Sequence, residues 1–169
     1  AVVEVWKTLA IAVALVVAVI WLFLGSARAM IVPAVTVPVS LIATFIALYT
    51  FGFTINLLTL LALVLAVGLV VDDSIVMLEN IARRVELGEP PLVAAYRGAK
   101  QVGFAVVATS VVLIAVFVPL SFISGDIGRL FTEFAITMAA AVFFSTIVAL
   151  TLSPMLCSKL LLPRDENRK

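Results

Sequence analysis

Asp72 and Asp73 stand side by side in Gly68–Leu69–Val70–Val71–Asp72–Asp73–Ser74, deep inside an apolar run over residues 57–81. That run is long enough to cross a bilayer, which takes roughly 20 apolar residues. An ionised carboxylate near the bilayer centre costs at least ~2.5 kcal/mol on insertion scales, and two adjacent ones also repel. They are tolerated only where a bundle interior or a water-filled cavity receives them, and acids so placed are functional candidates. On a helix, neighbouring residues differ by about 100°. The two acids therefore point in distinct directions, although both fit one broad polar crevice. Gly68 precedes Asp72 by four residues and Ala66 precedes Asp73 by seven, so small residues share the acids' faces and predict close helix approach. Two coupled carboxylates titrate as a pair rather than singly. A pair that binds and releases a proton as conformation changes is what a proton-driven transporter requires. The competing role is a structural ion pair with Lys or Arg on another helix. No predicted span carries a basic residue, so that partner would have to come from elsewhere.

The elements that must hold this pair follow from composition. Hydrophobic residues make up 64% of the 169 and charged residues 12%, against about 25% charged in a soluble domain. Mean hydropathy is +1.31. A soluble fold of this length cannot hide so much apolar surface, and an all-α membrane bundle is predicted. The single cysteine, Cys157, excludes an internal disulfide framework and reads as an inert buried thiol. With no histidine, imidazole metal sites, triads and proton switches are excluded. Nothing points to a cofactor or a metal. The basic residues sit at the ends of apolar spans without forming a stripe, so no nucleic-acid partner is expected. The chain starts at Ala1 with no cleavable leader, as expected of a piece of a longer protein.

Five transmembrane helices are predicted, over about residues 8–24, 31–49, 57–81, 102–120 and 131–152, within one bundle covering 1–162. Residues 163–169 form a charged tail. Trp6 and Trp21 suit opposite interfaces of the first span. Gly25–Ser26–Ala27–Arg28 is a tight polar turn. Pro33 and Pro38 each remove a helical donor, which predicts a bent or loosened first half of the second span. Asn56 or Thr54 is placed to cap the third span. Gly88–Glu89–Pro90–Pro91 breaks the longest connection, and 92–99 reads as a short interfacial helix. Pro119 marks a stop or kink at the end of the fourth span. Of the 11 basic residues, Lys7 and Arg129 fall on one side of five such spans. Arg28, Arg83, Arg84, Arg97, Lys100, Lys159, Arg164, Arg168 and Lys169 fall on the other. The rich side is predicted to be cytoplasmic, which puts the N-terminus outside and the C-terminus inside.

Other polar residues carry weaker signals. Glu79 reads as an interfacial helix-end residue rather than a relay member. Thr109, Ser110, Ser145 and Thr146 read as helix-packing hydroxyls, and Ala139–Ala140–Ala141 extends the close-packing face of the last two. Phe143 and Phe144 read as lipid or bundle packing.

The stretch Gly68–Leu69–Val70–Val71–Asp72–Asp73–Ser74–Ile75–Val76–Met77–Leu78–Glu79–Asn80–Ile81 resembles the fourth transmembrane helix of resistance–nodulation–division (RND) efflux pumps. The resemblance extends to the Pro33 and Pro38 span, Phe51–Gly52–Phe53–Thr54–Ile55–Asn56, and Val116–Phe117–Val118–Pro119–Leu120. It continues through Gly125–Asp126–Ile127–Gly128 and Leu150–Thr151–Leu152–Ser153–Pro154–Met155–Leu156–Cys157. Metal-exporting relatives carry one Asp followed by a small residue, so the double Asp favours the hydrophobe/amphiphile branch. The resemblance implies helices two to six of the N-terminal half of a twelve-helix, proton-motive-force-driven drug exporter in the bacterial inner membrane. It implies that Asp72 and Asp73 are proton-relay carboxylates, partnered by Lys, Arg and Thr of the second half. It also implies a homotrimeric parent with porter domains, a periplasmic adaptor and an outer-membrane channel. Without the porter domains and the second half this stretch is expected to pump nothing. Its acid face is expected to promote self-association. Two other roles compete. An intramembrane aspartyl protease needs its two Asp residues on different helices, and no other predicted span carries an Asp. A membrane scaffold would use the acids only to fix helix register.

Overall fold

The structure, a computed structural model, describes residues 2–24 and 27–161. Five α-helices run in order: α1 (Val2–Leu24), α2 (Ala27–Thr50), α3 (Leu57–Glu86), α4 (Pro91–Phe117) and α5 (Asp126–Leu160), with a 3-10 turn over Val118–Phe122 between the last two. By length and composition, Arg28–Thr50, Leu57–Glu86, Pro91–Phe122 and Asp126–Leu160 are long and apolar enough to cross a membrane, and Trp6–Leu22 is a shorter apolar stretch. Gly25, Ser26 and the charged tail lie outside the described residues.

α3 starts where Asn56 turns the chain. Its side-chain Oδ1 accepts from Leu58 N at 2.9 Å and Thr59 N at 3.0 Å, and Thr59 Oγ1 accepts from Asn56 N at 2.8 Å. This reciprocal capping box satisfies amides that a helix start otherwise leaves free. The helix runs beyond the predicted end at Ile81 to Glu86. Its last turns are held against α4 by Asn80 Nδ2 donating to Gly98 O at 3.1 Å and by Arg84, which bonds Glu89 and Gln101. Gly88, with φ 102, makes the turn between them.

Other helices also differ from the sequence expectation. Residues 92–99 are not a separate interfacial helix, because α4 is continuous from Pro91. Proline at the first helical position leaves no interior hydrogen bond broken, and Gly98 is buried against Ile81 rather than breaking the helix. α5 begins at Asp126, just after Gly125 with φ 98, and passes through Pro154 to Leu160. α2 is likewise assigned as one helix through Pro33 and Pro38. Between those prolines, Thr36 Oγ1 lies 3.3 Å from Pro33 O and 3.0 Å from Ser74 Oγ of α3, a buried hydroxyl contact that ties α2 to α3.

α3 is the central helix, with residues in all three apolar clusters. Leu60, Leu63, Val67 and Val70 pack with Leu9 and Ile20 of α1 and Val37 and Leu41 of α2. Met77, Leu78, Ile81 and Val85 pack with Val32, Ala94, Ala95 and Cys157. Ala62 and Ala66 meet Met138 and Ala141 of α5, where small side chains let the two backbones approach closely.

Candidate functional site

One edge of α3 stays uncovered along its length. Leu57, Leu61, Leu65, Gly68, Asp72, Val76, Glu79 and Arg83 are all exposed, at spacings of four or three that make one stripe. Asp72 lies in the middle of that stripe. A methyl group built on Gly68, one turn earlier, meets nothing within 4 Å. The expected close approach at the Gly68–Asp72 face is therefore not made by any described helix of this chain.

Asp73 points elsewhere. It is half-buried in the seam between α3 and α5, on the side where Ala66 is fully buried. Ser145 Oγ of α5 donates to Asp73 Oδ2 at 3.1 Å and also lies 3.3 Å from Val70 O. A hydroxyl both donates and accepts, so Ser145 can partner this carboxyl whether or not it carries a proton. Among the described residues neither acid has an ion-pair partner, because the two salt bridges both run to Glu89 at the far end of α3. The pair does not share one crevice. One acid faces the open stripe and the other faces α5, because α5 lies on the Asp73 side.

Ser145 was expected to be a packing hydroxyl, and the structure gives it a carboxylate partner. The available signal was its place four residues after Ala141 on a stripe of small residues, but its pairing with a residue 72 positions away was not legible. Thr36 and Ser74 form a second buried hydroxyl contact one residue beyond Asp73. Thr146 and Ser110 are hydrogen-bonded across α4 and α5, whereas Thr109 bonds back to Ala105 O and Val106 O of its own helix. Glu79 is exposed on the Asp72 stripe and lines a 190 Å³ opening with Val76, Asn80, Arg83 and Val102.

Comparison with known proteins shows the family of the chain. The profile of the AcrB/AcrD/AcrF family matches residues 1–169. Multidrug resistance protein MdtC of Yersinia enterocolitica is 55% identical over 158 residues, covering 94% of this chain and 15% of that protein. MdtC of Salmonella paratyphi B is 54% identical over 169 residues, covering 98% of this chain and 16% of its own length. The chain thus spans about 15% of the length of these curated relatives. With the family profile covering every residue and more than half of the positions shared with MdtC, the chain belongs to the AcrB/AcrD/AcrF family of resistance–nodulation–division transporters.

Proposed function

We propose that this chain is the proton-handling part of the membrane region of a multidrug exporter, with Asp72 and Asp73 binding and releasing protons as the export cycle turns. The observation that carries the reading is their placement. Two carboxylates lie midway along a helix apolar enough to span a bilayer, one uncovered and one held by a hydroxyl, and neither is neutralised by a cation among the described residues. Groups so placed bind protons at low cost when a neighbouring helix moves, because the neutral form is the cheaper one away from water. The uncovered stripe through Gly68 and Asp72 suits a further helix carrying basic residues, supplied by the second half of the parent pump. The drug class follows from the relatives, which are named as multidrug resistance proteins. The parent is proposed to be a homotrimer in the bacterial inner membrane, N-terminus of this stretch outward, working with a periplasmic adaptor and an outer-membrane channel. Alone, this stretch holds the acid side of the relay and exports nothing.

A scaffold role is the second reading, because the Ser145–Asp73 bond would also fix the register of α3 against α5. The deciding experiment compares proton-dependent drug export by the complete pump with that of Asp72→Asn and Asp73→Asn at matched membrane levels. Loss of export with assembly intact is expected. Normal export by both variants would leave the acids as structural polar residues.

A further inference from the structure

At two heights a side-chain hydrogen bond to a carboxylate joins α5 to α3 or to its cap. One carboxylate is Asp73, bonded by Ser145. The other is Glu133 of α5, whose Oε2 accepts from Asn56 Nδ2. Asn56 has no freedom in this contact. Its Oδ1 is engaged by the amides of Leu58 and Thr59, so its NH2 group must face Glu133. The cap of the acid-bearing helix is thereby fastened to a titratable group on the neighbouring helix.

Glu133 is also reachable from water. It is half-buried and lines a 660 Å³ opening together with Phe53, Ile123, Asp126, Arg129 and Thr132. With the orientation that the basic residues imply, this opening is on the outward side. The charged groups around Glu133 are Asp126 and Arg129 of its own helix, and the connection before α3 contributes the neutral Asn56 and Phe53. Arg129 lies one turn before Glu133 without forming an ion pair with it among the described residues, so the carboxylate is not neutralised there. Inward from Glu133, residues at intervals of four are Thr137, Ala141 and Ser145, and Ser145 touches Asp73. Thr137 Oγ1 donates to Glu133 O at 2.7 Å. The seam from the outward opening to Asp73 is thus lined on the α5 side by small residues, two of them hydroxylated.

We infer that Glu133 is a further proton-binding group of the transport cycle, beside Asp72 and Asp73, collecting protons on the outward side and transmitting its charge state to α3 through the Asn56 cap. This rests on the proton-driven reading above. The step is a simple protonation: one carboxylate oxygen gains a proton from the outer aqueous phase, and no bond of the chain breaks. The remaining carboxyl oxygen still accepts from Asn56, but a neutral acceptor holds it less strongly than a carboxylate does. As a positioning residue, Glu133 must therefore do more than fill space.

The test is drug export by the complete pump carrying Glu133→Gln, measured across external pH at matched membrane levels. Glutamine keeps an oxygen for Asn56 but cannot titrate. Export by E133Q is expected to match wild type only as external pH falls towards about 4, where carboxylates take up their proton, and to fall by roughly tenfold at about pH 7.5, where they are ionised. Wild-type export at every pH, or a deficit of equal size at every pH, would overturn the inference and leave Glu133 as a structural tie. If E133Q fails to reach the membrane, Glu133→Asp and Glu133→Asn carry the same comparison, with the wild-type pH slope expected only for the acid. Equal slopes for that pair would overturn it too. Asp73→Asn is measured alongside. If it exports normally, the proton reading itself fails. If it is inactive while E133Q behaves as wild type, only the role of Glu133 fails.

Discussion

Ser145 Oγ of α5 sits 3.1 Å from Asp73 Oδ2 and 3.3 Å from the Val70 carbonyl, so one hydroxyl touches both the side chain and the backbone of the acid-bearing turn. Hydrogen bonds between membrane helices average ~0.6 kcal/mol and reach ~1.7 kcal/mol. Ser145→Ala should therefore leave the pump assembled while lowering proton-dependent export by about threefold, and by roughly 16-fold at the upper end of that range. Ser145→Thr keeps the hydroxyl and should retain most export. Assays at matched membrane levels decide it, and wild-type export by the alanine variant would reduce Ser145 to packing.

Asn56 is the hinge of a different contact, and its two halves can be separated. Asn56→Ala removes the α3 cap and should cost about 1 kcal/mol, with ~2 kcal/mol as the upper end. Asn56→Asp keeps the capping oxygen but sets a carboxylate against Glu133. Like charges destabilise when both are ionised. Thermal unfolding of the detergent-solubilised pump should show Asn56→Asp less stable than wild type near neutral pH. The gap should narrow as pH falls towards about 4, where carboxylates begin to protonate. A gap independent of pH would show that charge repulsion is not its cause.

The glycines predict opposite outcomes at two places. A methyl group on Gly128 would fall 1.9 Å from the Ile123 carbonyl oxygen, a backbone atom that no rotamer change can move aside. Gly128→Ala should cost more than the ~1–3 kcal/mol of ordinary overpacking and lower the membrane level of the pump. At Gly98 the same methyl meets Ile81 Cγ1 at 2.7 Å, a side chain able to shift. Gly98→Ala should therefore be milder, within about 1–3 kcal/mol. Quantitative immunoblotting of membranes and melting in detergent rank the two, and equal behaviour would contradict the packing described between α5 and the turn before it.

Gly68 reports on what covers the Asp72 stripe. Among the described residues nothing lies within 4 Å of a methyl placed there. Gly68→Ala should be tolerated by the bundle and can add up to ~1 kcal/mol through helix propensity. Gly68→Leu should likewise leave these helices packed, yet abolish export by holding off a helix from the rest of the pump. Full export by Gly68→Leu would mean that the stripe faces lipid or water instead.

Composition and motif determined a great deal here. The long unbroken apolar runs point to a helical membrane bundle, because only helices and closed barrels satisfy their backbone in lipid and barrel strands alternate apolar with polar residues. The Asp72–Asp73 pair declared itself by being charged in the middle of such a run, and Asn56 by standing where a cap is needed. Helix continuity was less legible. Pro91 looks like a breaker in a string of letters, but proline is harmless in a first turn and the helix runs on through Gly98, which packs against Ile81. The division of labour within the acid pair was decided only by tertiary structure. Sequence separates adjacent residues by an angle and says nothing of which angle finds a neighbour. That choice depends on where α5 lies, which placed Ser145 against Asp73 and Glu133 against Asn56 across 72 and 77 residues and left Asp72 uncovered.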